Sequence, residues 1–282
     1  MTLTLCASAA AAEFSGARAL EDVKKIVALG PRWVNSEAMK KQQAYLAGQL
    51  KSTGCQLTED PFTAATPVGV VPMKNLLCLF PGKNGKALVI TGHYDTKQIK
   101  GVNFLGANDS GASASLLLEL ARALKDRSHQ SDVYLVWLDG EEAYGEWSDK
   151  DSLYGSRHLA EKWQKDGVLS KITALINVDM IGDRDLVVER EQYSSASLRS
   201  TVWQVAGDLG FARNFNGREI AIEDDHIPFL RRGVRALDLI DYDYGPDNSW
   251  WHTAADTPDK LSPQSFDIMG RVLLETLRRL DP

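Results

Sequence analysis

Hydrophobic positions in the N-terminal part of the chain follow a helical spacing. Residues 19–29 are apolar at every third or fourth position, which predicts a helix that Gly30 and Pro31 would end. Ser36 is a good N-cap residue for a second helix that runs to about residue 52. The chain is therefore expected to begin with two helices.

Beyond residue 86, short apolar runs alternate with longer segments of helical spacing. The short runs predict buried strands at 87–92, 133–138, 172–178 and 234–240. The longer segments predict helices at 111–124, at 153–163 and from Ser262-Pro263 onward. Such alternation is typical of a parallel sheet with helices on both faces. We therefore predict an α/β fold, a three-layer α/β/α sandwich around a mixed, mostly parallel central sheet.

The sequence contains no internal repeat and no low-complexity linker, so we expect one catalytic α/β domain over residues 16–282. Residues 3–12 (LTLCASAAAA) resemble the end of a secretory signal but lack its basic start. Residues 1–15 are interpreted either as a signal-sequence remnant or as a disordered Ala-rich extension. The first alternative implies a periplasmic or secreted protein.

Composition and charge exclude several classes of function. The 282 residues carry a net charge of -6, so no basic field is present to attract nucleic acid. No run of about 18 apolar residues exists, and we expect no transmembrane segment. The cysteines Cys6, Cys55 and Cys78 lie far apart without a C-x-x-C pair. From this spacing we expect neither a disulfide framework nor a thiolate zinc site.

Polar side chains follow the predicted strands. They are His93 and Asp95 after the first, Glu141 and Glu142 after the second, Asp179 after the third and, in the loop region beyond the last, His252. Sites in open α/β sheets lie outside the carboxyl ends of the strands, so these side chains should meet at one rim. Carboxylates and imidazoles suit zinc. A single acidic residue in this set has a simpler role as an alternative to metal binding. Asp109, for example, is placed to cap the helix at 111–124.

Several segments resemble motifs of a known family. G-H-Y-D-T at 92–96, G-A-N-D-S at 106–110 and D-G-E-E-A at 139–143 are similar to the zinc aminopeptidase superfamily. Three more narrow the resemblance to the glutaminyl cyclases: W-S-x-x-D-S-L-Y-G-S-R-H-L-A at 147–160, E-D-D-H-I-P-F-L-R-R-G-V at 223–234, and W-H-T at 251–253 followed by Asp256. The motifs cover about residues 88–260, and the first 80 residues add little.

This resemblance implies a zinc-dependent glutaminyl-peptide cyclotransferase, an aminoacyltransferase. Such an enzyme converts the N-terminal glutamine of peptides and proteins into pyroglutamate and releases ammonia. The resemblance further implies one zinc ion per chain, held by Asp109, Glu142 and His252. We expect a monomer.

The resemblance also implies catalytic and substrate-binding residues. Glu141 would shuttle the proton, Asp179 and Asp224 would assist it, and Trp147 and Trp251 would line the substrate pocket. The two tryptophans have the alternative of being ordinary core aromatics.

Some positions leave the assignment open or depart from the family pattern. Asp225 is an alternative to its neighbour Asp224 for the inward-facing carboxylate. Asp238 and Glu146 both stand where the animal cyclases have histidine, and the segment 241–250 is longer than its animal counterpart.

Two other functions remain open. A two-zinc aminopeptidase would use His93 and Asp179 for a second ion and would release amino acids in place of ammonia; all five of its ligand positions are filled, by His93, Asp109, Glu142, Asp179 and His252. A non-catalytic binding protein on the same scaffold would be inert toward both kinds of substrate.

Overall fold

The computed structural model describes residues 13–281, so most of the segment interpreted as a signal remnant or extension lies outside the described residues. Its last part is packed against the rest of the protein. Phe14 is buried against Gly270, and the hydroxyl of Ser15 accepts a hydrogen bond from the backbone N–H of Arg18, which caps the first helix.

Helices and strands alternate over most of the chain. The helices are α1 (Gly16–Val27), α2 (Glu37–Leu50), α3 (Gly111–Leu124), α4 (Tyr154–Lys165), α5 (Ala196–Asp208), α6 (Ile227–Leu230) and α7 (Pro263–Leu280). The strands are β1 (Gln56–Thr66), β2 (Gly69–Phe80), β3 (Ala87–His93), β4 (Asp132–Leu138), β5 (Ile172–Asp179), β6 (Arg190–Glu191), β7 (Glu219–Ile220) and β8 (Ala236–Ile240). Short 3-10 turns lie at Leu169–Lys171, Ala212–Phe215, Pro246–Asn248 and Pro258–Lys260.

The main sheet has six strands in the order β1-β2-β4-β3-β5-β8. β3 is parallel to both β4 and β5, and β5 is parallel to β8. β1 and β2 form an antiparallel hairpin, which joins the sheet through the antiparallel pair of β2 and β4. The predicted mixed, mostly parallel sheet is therefore confirmed.

Helices cover both faces of this sheet. In β3, where every residue is buried, Leu88 and Ile90 point to the core formed with α1, α2, α3, α5 and α7. Val89, which lies between them, points to the opposite core, where α4 and α6 pack. Alternate residues of a strand face opposite sides, so a strand apolar at every position needs a helical layer on each side. The three-layer prediction is confirmed.

Elements predicted from apolar runs are present with small shifts at their ends. The hairpin of β1 and β2 was not predicted. β1 is an edge strand that leaves most of its residues exposed, whereas the buried half of β2 does carry an apolar run, at 76–80. α5 was not predicted either; its first turns are rich in serine and threonine, and one stripe is buried.

The expectation that the cysteines form no disulfide was wrong. Cys55 and Cys78 are joined by a disulfide, with 5.5 Å between their Cα atoms. The register of the hairpin places Leu57 opposite Cys78, and this brings Cys55 within bonding range. Within residues 13–281, no helix is both long and apolar enough to cross a membrane.

Candidate metal centre and active site

The predicted site residues meet at the carboxyl edge of the parallel strands. β3 ends on His93 and β5 ends on Asp179. β4 ends at Leu138, and Gly140, with a left-handed φ of 72°, then turns the chain so that Glu141 and Glu142 follow at the same edge. A side chain at Gly140 would collide with Met73, whose sulfur lies 2.7 Å from the place of a Cβ atom.

Asp109, Glu142 and His252 form one compact group. His252 Nε2 lies 3.0 Å from Glu142 Oε1 and 3.2 Å from Asp109 Oδ2. One donor atom from each of the three residues lies within 4.8 Å of the others. Two carboxylates and an imidazole at this spacing are a donor set that suits zinc. The arrangement also removes the helix-cap alternative for Asp109, since residue 110 is at the N-cap of α3.

His93, Asp109 and Asp179 form a second group of the same kind. His93 Nε2 lies 3.1 Å from Asp179 Oδ1 and 3.3 Å from Asp109 Oδ1. Donor atoms of these three residues also lie within 4.8 Å of one another. Asp109 therefore belongs to both groups, with one oxygen facing each histidine.

Two buried carboxylates hold the backbone of the candidate ligands. Asp95 accepts hydrogen bonds from the backbone N–H groups of Glu141 and Glu142, at 3.1 and 3.3 Å. Asp256 does the same for Asn108 and Asp109, at 2.8 and 3.2 Å. Asp95 and Asp256 both lie in the sequence motifs. Hydrogen bonds to backbone groups leave no pattern of residue spacing, so the sequence does not predict these positioning roles.

Lys97 is a site residue that sequence reasoning missed. Its Nζ donates to the backbone oxygen of Ala143 at 3.0 Å and lies 3.4 Å from Glu142 Oε2. Glu142 thus has one oxygen beside a cation and the other toward His252. The only signal in the sequence is that Lys97 directly follows the G-H-Y-D-T segment.

Burial controls the ionisation of the acids at this edge. It raises the pKa of Glu141 well above the usual carboxyl range, against the opposing charge of His93. It raises the pKa of Asp224 to about 6, with the charge of Asp179 adding to the effect. Burial alone would lower the pKa of His252, but hydrogen bonds to Asp109 and Glu142 raise it to about 10. A divalent cation among these carboxylates would favour their ionised forms.

A cavity of about 440 Å³, here called the site cavity, opens over these groups. Its polar wall contains Lys97, Asp109, Glu141, Glu142, Asp179, Asp224 and His252. Its apolar wall includes Trp147 and Trp251, together with Ile222 and Tyr242. The Trp251 ring stacks on His252 with 4.1 Å between ring centroids, and Trp147 is 41% exposed. Asp224 lines the cavity, whereas Asp225 is fully buried outside its lining.

The residues that depart from the family pattern lie in different parts of the structure. Asp238 is buried in β8 and accepts a hydrogen bond from the side chain of Asn177 at 3.0 Å. Glu146 is exposed. The segment 241–250 is anchored through Tyr244, whose hydroxyl donates to Asp256 at 2.8 Å.

Comparisons with known proteins identify the family. The model of peptidase family M28 matches residues 75–277. The glutaminyl-peptide cyclotransferase of Drosophila melanogaster is 32% identical over 279 residues, covering 90% of this chain and 77% of that protein. The chain belongs to the glutaminyl cyclases of peptidase family M28. It is thus an enzyme of the M28 zinc-peptidase superfamily.

Solved structures of glutaminyl cyclases share the whole fold. The glutaminyl cyclase of an Acidobacteriales bacterium is 39% identical, with a TM-score of 0.91 over 99% of both chains. That of Fimbriiglobus ruber is 29% identical, with a TM-score of 0.85 over 96% of this chain and 97% of the other. The M28 fold therefore extends to the β1–β2 hairpin and the N-terminal helices, which the sequence motifs did not cover.

Proposed function

We propose that this protein is a glutaminyl-peptide cyclotransferase, which closes the N-terminal glutamine of peptides and proteins to pyroglutamate and releases ammonia. The observation that carries the proposal is the site cavity. It places Glu141 and the group of Asp109, Glu142 and His252 beneath a wall that contains Trp147 and Trp251. Membership among the glutaminyl cyclases supports the same activity.

The proposed cofactor is one zinc ion per chain, with Asp109, Glu142 and His252 as its ligands. Three protein ligands leave the fourth position of a tetrahedral zinc open, as catalytic sites require. A zinc ion bound there would act as a Lewis acid on the γ-carbonyl group of the substrate glutamine.

The proposed reaction is intramolecular. The α-amine of the glutamine attacks its own side-chain amide carbon, the new C–N bond closes the ring, and the bond to the amide nitrogen breaks. Glu141 accepts the proton from the amine and returns it to the departing nitrogen, which leaves as ammonia. Asp179, with Asp224 beside it, orients that nitrogen. Trp147 and Trp251 hold the flexible side chain in a folded conformation, which lowers the entropy cost of ring closure.

A second candidate function is favoured by one observation. His93, Asp109 and Asp179 form another three-residue group that fits a metal ion. If both groups, which share Asp109, held a metal ion, the site would suit a two-zinc aminopeptidase that releases free amino acids.

One experiment separates the two functions. Purified protein is incubated with a glutaminyl peptide and with an aminopeptidase substrate, ammonia and free amino acid are assayed, and zinc is counted on the same sample. The cyclase predicts ammonia and about one zinc per chain. Amino acid release with about two zinc ions would establish the aminopeptidase, and inertness toward both substrates would leave a binding protein.

We further propose an extracellular or periplasmic location. The Cys55–Cys78 disulfide supports it, since such bonds persist in oxidising compartments. The monomeric state stays a prediction, which sedimentation of the purified protein would test.

A further inference from the structure

A second cavity lies beside the site cavity and shares a wall with it. This basic groove has a volume of about 700 Å³ and is lined on one side by residues 62–65 of β1 and on the other by Lys150, Arg157, Arg231 and Arg232. Glu223 lines both cavities. The loop that places Trp147 on the wall of the site cavity continues directly into Lys150 of the groove.

The carboxylates on the wall of the groove are already paired. Asp149 and Glu223 both bind Arg231, at 2.8 and 2.9 Å. Glu161 pairs with Lys165. Lys165 therefore balances the charge of Glu161, whereas Asp149 and Glu223 share one cation and keep one unit of negative charge between them.

Three cations of the groove have no such partner. Among residues 13–281, Lys150, Arg157 and Arg232 form no ion pair with a carboxylate. Arg157 donates to the backbone oxygens of Asp149 and Lys150. Arg232 donates to the Gln164 side chain at 3.2 Å and to the backbone oxygen of Pro228 at 2.9 Å. Neutral acceptors leave the positive charge in place, so this groove is locally basic in a protein of net charge -6.

We infer that the basic groove binds carboxylates of the substrate peptide beyond its second residue. The inference rests on the proposed cyclase function. Ring closure involves only the first residue, so the rest of the peptide must leave the site cavity over its rim. Glu223, which lines both cavities, marks the place where the groove adjoins the site cavity. Guanidinium groups bind carboxylates with charge-assisted hydrogen bonds, so acidic peptides are the preferred substrates.

The test compares three peptides that differ only in their fourth and fifth residues. They are Gln-Ala-Ala-Glu-Glu-amide, Gln-Ala-Ala-Gln-Gln-amide and Gln-Ala-Ala-Lys-Lys-amide, assayed by ammonia release. We expect kcat/KM to be highest for the Glu peptide, intermediate for the Gln peptide and lowest for the Lys peptide, because KM differs among them. The range should be about tenfold at low ionic strength and smaller at high salt. The neutral peptide with a free C-terminus should have a higher kcat/KM than its amide, because its terminal carboxylate can also bind the cations of the groove.

Variants assign the preference to the groove. Lys150→Gln with Arg232→Gln should remove most of the difference between the Glu and Lys peptides and leave kcat for the neutral peptide unchanged. Lys125→Gln with Arg213→Gln is the matched control, since it removes the same charge from exposed positions outside the groove. Equal kcat/KM for the charged peptides, or a preference that survives in the groove variant, would overturn the inference. Failure to cyclise even the neutral peptide would instead refute the proposed function.

Discussion

Glu141 and Glu142 are adjacent in the chain but face different partners. Glu142 Oε1 lies 3.0 Å from His252, whereas Glu141 Oε2 lies 3.8 Å from Nδ1 of His93. This divergence supports the separate roles proposed for the two carboxylates, Glu142 as a zinc ligand and Glu141 in proton transfer. The distinction can be tested with substitutions that keep their shape.

Glu141→Gln is expected to lower kcat by about 10²-fold or more, the usual scale for a lost acid/base group, and to keep zinc bound. The amide retains the size of the side chain but cannot take the proton from the α-amine. Ammonia release and zinc content measured on one sample test this prediction. A variant with near-normal kcat would remove Glu141 from the proton-transfer role.

Asp109→Ala and His252→Ala are the complementary substitutions, which test the proposed zinc ligands. Each removes one donor atom of the proposed zinc site, so zinc content and activity should fall together. Full zinc occupancy in either variant would contradict the ligand assignment.

Substitution of Trp147 distinguishes a role in substrate binding from a role in packing. The side chain is 41% exposed on the wall of the site cavity, so Trp147→Ala should change the free energy of unfolding little. Loss of its contact with the substrate should raise KM about tenfold. The control is Trp203→Ala, which removes a partly buried ring that packs on Phe215 away from the site cavity. The control should lose stability with KM unchanged, and the reverse result would make Trp147 an ordinary packing residue.

At the scale of single elements, sequence patterns predicted those parts of the fold that have a strong local cause. Ser36 and Ser262 cap α2 and α7 as expected, and the apolar run of β3 lies at the centre of the sheet. β1 was missed because an edge strand in water has no need of an apolar run, whereas β2 carries one at 76–80 that indicates its buried half. The disulfide was missed with it, since only the hairpin register brings Cys55 close to Cys78.

The same limit applies to the site. Asp109, Glu142 and His252 were found through motifs that resemble a family, and parallel strands explain why such distant segments meet at one edge. The contacts of Lys97 depend on how its loop crosses that edge, and a lone lysine in a polar segment has no periodicity that would reveal them.

The Cys55–Cys78 bridge should stabilise the hairpin and leave the proposed zinc site unaffected. It closes a loop with a sequence separation of 23 residues. Loop-closure entropy for that length predicts that Cys55→Ala with Cys78→Ala lowers the free energy of unfolding by about 3 kcal/mol. Urea denaturation with and without reductant measures this effect. Cys6→Ala is the control, and a double variant as stable as the control would contradict the prediction.

At the scale of the whole molecule, acidic and basic residues are unevenly distributed. The basic groove lies on one side of the site cavity, and a cavity of about 560 Å³ with buried Asp183, Glu189 and Asp241 on its wall lies elsewhere. Glu189 accepts a hydrogen bond from the backbone N–H of Tyr242 at 3.0 Å, and Asp241 accepts one from that of Val187 at 3.0 Å. Burial raises the pKa of Glu189 to about 7 and that of Asp241 to about 9.

These raised pKa values make the stability of the fold depend on pH. Both acids have a pKa of about 4 in an unfolded chain, so the folded protein binds their protons more tightly. Their contribution to stability is complete below about pH 4 and is lost as the pH rises through 7 and 9. The free energy of unfolding of the metal-free protein should therefore fall between about pH 5 and 9.

Glu189→Gln with Asp241→Asn should flatten this fall by several kcal/mol, because the amides keep both acceptors and cannot ionise. Urea denaturation of metal-free protein at several pH values measures the difference. The control, Asp126→Asn with Glu146→Gln, removes two exposed carboxylates and should follow the profile of the unaltered protein. If the Glu189 and Asp241 variant lost as much stability as the control over this range, the two acids would already be ionised in the folded state, and the pH dependence would have to come from other buried acids such as Asp238 and Asp256.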